Sequence, residues 1–174
     1  MKKSVGLWSL MGFAVTSLVG TVLHFLYDLT GESIAVSPFS GVNESTWEHM
    51  KLLFWPMFLY AIFQSFFFRD RGDFWCVNLK GILLGLSLIP IIFYTYNGVI
   101  GKSPDFINIT IFFVSAAIAY IYEWRQLSKR EGSCMHSKRT FLLLCVIAFL
   151  FVLFTFKTPM LAIFKDPVTG NFGI

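Results

Sequence analysis

The stretch Gly41-Val42-Asn43-Glu44-Ser45-Thr46-Trp47-Glu48-His49-Met50-Lys51 runs straight into Leu52-Leu53-Phe54-Trp55-Pro56-Met57-Phe58-Leu59. Two carboxylates, an imidazole, an ammonium, an amide and two hydroxyls thus stand at the entrance of a strongly apolar segment. Ser45-Thr46-Trp47-Glu48 has the Ser-x-x-Glu form of a capping box, with Asn43 as an alternative N-cap. A helix starting at Thr46 and reaching Phe68 would cross the roughly 30 Å of a bilayer core at about 1.5 Å per residue. Pro56 inside it predicts a kink and a freed carbonyl at Leu52, tipping the Glu44 to His49 turn over the mouth of a bundle.

Composition points the same way around this stretch. The chain has 174 residues, of which 56% are hydrophobic and 21 are Phe, with a mean hydropathy of +0.68. A soluble core of this size is too small to hide them. The net charge of +4 does not imply nucleic acid, because the basic residues fall in short runs between apolar segments. Cys76, Cys134 and Cys145 show no zinc or CxxC spacing and predict reduced thiols.

The remaining apolar runs complete an all-α integral membrane bundle of about five transmembrane helices. The chain forms one polytopic domain, 1–174, with spans near 7–27, 46–68, 74–96, 105–122 and 140–156. The first run follows Met1-Lys2-Lys3 but is longer than a signal-peptide core and lacks a cleavage site. Gly81 and Gly85 have the small-xxx-small spacing of closely packed helices. Pro159, Asp166-Pro167 and Gly170-Asn171 make the tail a loop with turns.

Orientation follows from Lys and Arg. Lys2, Lys3, Arg69, Arg71, Lys80, Arg125, Lys129, Arg130, Lys138 and Arg139 fall on one side, against Lys51, Lys102, Lys157 and Lys165 on the other. The N-terminus is therefore expected inside and the C-terminus outside. On the outer side collect His24, Asp28, Asn43, Glu44, Trp47, Glu48, His49, Asp105, Asn108 and Asp166, the candidate ligand-binding residues.

The strings His24-Phe25-Leu26-Tyr27-Asp28, Val42-Asn43-Glu44-Ser45-Thr46-Trp47-Glu48-His49-Met50-Lys51-Leu52 and the ending Phe164-Lys165-Asp166-Pro167-Val168-Thr169-Gly170-Asn171-Phe172-Gly173-Ile174 carry a resemblance. The chain resembles an uncharacterised family of small multi-spanning membrane proteins from Gram-positive bacteria. That resemblance implies a multi-pass protein of the bacterial cell membrane and carries no activity with it.

Several readings compete for the polar cluster. One is a pocket for a small molecule or ion at the extracellular membrane face. A second gives His24, Glu44, Glu48 and His49 to a divalent metal, with metal-dependent membrane hydrolysis as its chemistry. Against it, the spacing is neither His-Glu-x-x-His nor the Glu-x-x-His of di-iron bundles. Glu48 and His49 also point about 100° apart on a regular helix. A third makes the chain a structural subunit of a membrane complex, with Glu48 capping, Lys51 pairing with Glu48 at i, i+3, and His24 interfacial. Expected partners are membrane lipid and a second copy or complex subunit, with no nucleic acid. The basic segment Arg125 to Arg139 reads as topogenic, next to anionic lipid.

Overall fold

The computed structural model describes all residues except Met1, Lys102, Ser103, Arg130, Glu131 and 133–136, and the side chains of Lys2, Lys3 and Asp105. Five helices follow in order: α1 (Lys2–Leu29), α2 (Thr46–Ser65), α3 (Phe74–Val99), α4 (Asp105–Leu127) and α5 (Ser137–Phe156). A short 3-10 turn, Ala162–Phe164, follows them. Among the described residues the only extended pairing is one bridge, Lys165 with Phe172.

Four helices are long and apolar enough to cross a membrane: Ser4–Leu29, Phe74–Val99, Phe106–Leu127 and Ser137–Phe156. The helix expected over 46–68 ends at Ser65 and is not among them. Its opening turns carry Glu48, His49 and Lys51, and it is lodged inside the bundle. Every residue from Lys51 to Phe58 is buried, so all sides of the helix are covered. With 20 residues it is about 30 Å long, enough to run the depth of the bundle. Elsewhere the helices extend beyond the apolar runs, α4 reaching Leu127 instead of 122.

Small residues let the helices meet. An added Cβ at Gly12 of α1 would lie 2.4 Å from Tyr120 and 2.6 Å from Tyr60; at Gly20 it would lie 2.5 Å from Phe112. These contacts set α1 antiparallel to both α2 and α4. Gly81 packs on Glu123, and Gly85 on Leu53 and Ala119, so the small-xxx-small pair does sit where α3 approaches α4. Trp75 packs against Phe141 with centroids 4.6 Å apart and the rings inclined at 60°, placing the starts of α3 and α5 together. The helix α2 continues through Pro56. The Leu52 carbonyl that Pro56 deprives of a donor faces Gly20, whose added Cβ would lie 3.1 Å from it.

The bundle therefore has two poles. At the basic pole Asp73 organises the loops. Arg71 donates to it from Nε and Nη2, both at 2.9 Å, and Gly132 N at 2.8 Å. Arg71 Nη1 also caps the end of α4 through the carbonyls of Leu127 and Lys129, each at 3.1 Å. Burial pushes the Asp73 carboxyl up, but Arg71 and the Gly132 N–H outweigh it and hold it below the ordinary carboxylate value. These bonds hold Lys129 and Gly132 against the start of α3.

Cys76, in the first turn of α3, is disulfide-bonded, against the expectation of reduced thiols. Cys145 is free, and Cys134 lies outside the described residues. Disulfides belong to oxidising compartments, whereas the Lys and Arg asymmetry would put this pole in the cytoplasm, so the two signals oppose each other.

Accessibility to a membrane-impermeant thiol reagent tests that orientation. Cysteines at Ile34 and Val168, exposed at the other pole, should label from outside intact cells, and one at Asp70 should not. Labelling at Asp70 with silence at the other two would invert the protein. Ser37 is no use for this purpose, being fully buried.

Candidate functional site

The second pole is built by the connection from α1 to α2 and by the tail. Ser45 is extended at φ −68°, ψ 153° and accepts from Glu48 N at 3.4 Å, the expected N-cap. Asn43 Oδ1 in turn accepts from Ser45 N at 2.9 Å. The reciprocal half of a capping box would have Glu48 accept from Ser45 N. Instead the Glu48 carboxylate reaches back to Val42 N at 3.1 Å, because Asn43 already holds Ser45.

The 100° offset between Glu48 and His49 separates the pole into two arrangements. Glu48 turns inward and pairs through Oε2 with Lys51, one helical turn on. Lys51 is fully buried. Its ammonium donates to the Ser37 carbonyl at 2.7 Å and to Thr155 Oγ1 at 3.2 Å. Thr155 passes its own proton to the Phe151 carbonyl at 2.9 Å, which leaves its oxygen free to accept. All three ammonium protons thus have an acceptor. The pair joins α2, α5 and the connection ahead of α2.

His49 turns toward α1. Its ring faces His24 with centroids 5.7 Å apart, and Glu44 lies between them. Glu44 Oε1 is 3.7 Å from His24 Nε2, and Oε2 is 3.6 Å from His49 Nε2. His49 Nδ1 sits 3.0 Å from the Ser45 carbonyl. A carbonyl only accepts, so Nδ1 carries the proton, and whenever the ring is neutral its Nε2 lone pair faces Glu44. The Glu44 side chain keeps 45% of its surface exposed, so the cluster opens to solvent. Two small cavities touch His49. One of about 50 Å³ is lined by His24, Thr21 and Leu52, and one of about 10 Å³ by Asn108 and Thr46.

The other candidates lie apart from this cluster. Asp28 is exposed, one turn beyond His24. Asn43 donates from Nδ2 to the Gly173 carbonyl at 3.1 Å, fastening the tail. Trp47 stacks between Phe151 and Phe164, both at 4.6 Å. Asp166 is buried and shapes the tail by accepting from Val168 N and Thr169 Oγ1, both at 2.8 Å. The Asp105 side chain is outside the described residues. Glu48, one of the candidate metal ligands, is committed to Lys51 and Val42. Among the described residues no three His, Cys, Asp or Glu side chains are grouped closely enough to hold a metal as they stand.

Sequence reasoning passed over two features. Glu123 is 2% exposed, lies against Gly81, and has an Oε1 without a hydrogen-bond partner. Its setting in Glu123-Trp124-Arg125 looked like a helix end. The depth of Lys51 was the other, and its signal was available: a Lys three residues after Glu, on one face, inside a hydrophobic run.

Fold and site together define a helical bundle with four helices long and apolar enough to cross a membrane, another helix enclosed by them, and a histidine–carboxylate cluster at one pole. The chain belongs to DUF6512, a family of unknown function, whose model matches residues 1–174. No curated protein and no solved structure matches it.

Proposed function

We propose that the chain is a multi-pass protein of the bacterial cell membrane that binds a small cation at His24, Glu44 and His49. The observation that carries this reading is the Glu44 carboxylate set between two imidazole Nε2 atoms at 3.7 and 3.6 Å. On His49 the Nδ1 proton is committed to a carbonyl, the arrangement by which proteins direct an imidazole lone pair at a metal. Both N···O separations exceed a hydrogen bond, so the carboxylate holds neither ring directly, and the three side chains, too spread to hold a metal as they stand, would draw together around a cation.

Size favours an ion over an organic molecule. Cavities of about 50 and 10 Å³ have room for an ion or a water, whereas pockets for organic ligands run to roughly 300–1,000 Å³. A hydrolase is less well supported, because Glu48 is neutralised by Lys51 and leaves no spare carboxylate as base. On the charge-derived orientation the cation is taken from the extracellular side.

Calorimetry on the purified protein tests the reading with the divalent ions that imidazole favours, zinc and nickel. One equivalent should bind, and Glu44→Gln or His49→Ala should each weaken it by about tenfold or more. Asp166→Asn and Trp47→Phe, outside the cluster, should leave affinity unchanged. Absence of binding, or binding indifferent to Glu44 and His49, would remove the proposal.

A further inference from the structure

We propose that the groove over the C-terminal half of α4, at the basic pole, is a specific site for one anionic phospholipid. Its phosphate lies between Arg125 and Lys129, and an acyl chain runs along the seam of α1 and α4. Two adjoining hollows make the groove. One of about 850 Å³ covers the outer face of the last turns of α4 and is rimmed by Arg125 and Lys129. The other, about 320 Å³, continues between Leu10 and Phe13 of α1 and Ala117 of α4. Both include Gly6, Ile121 and Trp124, so one continuous surface leads from the cations to an apolar wall. Gly6 keeps the seam shallow on the α1 side: an added Cβ there would lie 3.3 Å from Trp124 Nε1.

Charge supports an anionic head. Arg125 has no ion pair among the described residues. Among the described residues the Lys129 ammonium meets only the neutral Gln126 amide oxygen, at 3.4 Å. Two cations without a described counter-charge thus sit at one end of a groove whose other end is hydrocarbon, which is the polarity of an anionic amphiphile. A zwitterionic head brings its own cation and gains less. A free anion has no use for the apolar wall. The negative end of the α4 dipole disfavours an anion there, so recognition rests on the two side chains. Ser9, in the lining of the seam, has a buried Oγ without a hydrogen-bond partner.

The test uses the full chain in non-ionic detergent, following its thermal unfolding midpoint. Phosphatidylglycerol should raise the midpoint. Phosphatidylcholine with the same chains, and glycerol phosphate without chains, should not. The variant Arg125→Gln/Lys129→Gln should keep its midpoint in detergent alone but bind phosphatidylglycerol roughly 25-fold more weakly, about fivefold per basic residue. Lys138→Gln/Arg139→Gln, which removes charge elsewhere at the same pole, should respond like the native chain. An undiminished response in the Arg125/Lys129 variant would overturn the proposal. So would an equal loss in the Lys138/Arg139 variant, or an equal effect of phosphatidylcholine. A midpoint shift from glycerol phosphate alone would show a free-anion site in place of a lipid site.

Discussion

Lys51→Met alone is expected to lower the stability of the folded bundle by about 3–5 kcal/mol, because it strands a buried carboxylate. Glu48 is 3% exposed, and without Lys51 its charge keeps only the Val42 N–H. The loss also removes the donor to Ser37 O and Thr155 Oγ1. Removing both charges is a different matter. Glu48→Gln/Lys51→Met keeps an acceptor for Val42 N and fills the lysine's volume, so it should fall within about 1–2 kcal/mol of the native chain, as paired replacements of buried ions do. Helix packing followed by tryptophan fluorescence through an SDS titration gives both numbers, and their difference is the coupling. Equal losses in the single and double variants would mean that the pair contributes only through packing.

Gly12→Ala should be the most damaging of the small changes in the transmembrane core, at about 1–3 kcal/mol for overpacking. The new methyl would meet two rings, Tyr120 at 2.4 Å and Tyr60 at 2.6 Å. Neither can easily withdraw. The Tyr60 hydroxyl donates to the Trp8 carbonyl at 2.7 Å, and the Tyr120 and Thr16 hydroxyls share a bond of 2.8 Å. Gly98 of α3 is the control, since nothing lies within 4 Å of its added Cβ. There, Ala should be neutral or slightly stabilising through helix propensity. The same SDS titration reads both. A Gly12→Ala variant as stable as Gly98→Ala would show that α1 does not approach α2 and α4 this closely.

The apolar runs were enough to read five helices, because a bilayer leaves the backbone few other solutions. Ser45 was equally legible as an N-cap, since capping is a local relation among neighbours. The enclosure of α2 was not. Hydropathy reports how apolar a segment is, and α2 resembles a weak span whether lipid or protein surrounds it. The meeting of His24 with His49 followed from adjacent helices whose ends face one another. That Glu44 and not Glu48 would stand between them depended on Asn43 taking Ser45 N and leaving Glu48 to Val42 and Lys51. Asp166 and Trp47 shared a pole with the cluster in the linear count, but the tail folds them into its own packing. Such choices are made by contacts across more than a hundred residues, as with Asn43 and Gly173, and no periodicity records them.

The hydrogen bond from Lys51 to Thr155 spans 104 positions of chain, which gives the bundle a timetable. A ribosome adding about 5–20 residues per second needs roughly 5–20 s to go from one to the other. For that interval α2 has left the exit tunnel with a buried-type lysine and no hydroxyl to receive it. Of the five helices it is also the one not apolar enough to settle in lipid by composition. If the four apolar helices enter a bilayer, the nascent α2 would wait beside α1 until α5 arrives. Its burial would then be the closing step of assembly, although it is the second helix to be made.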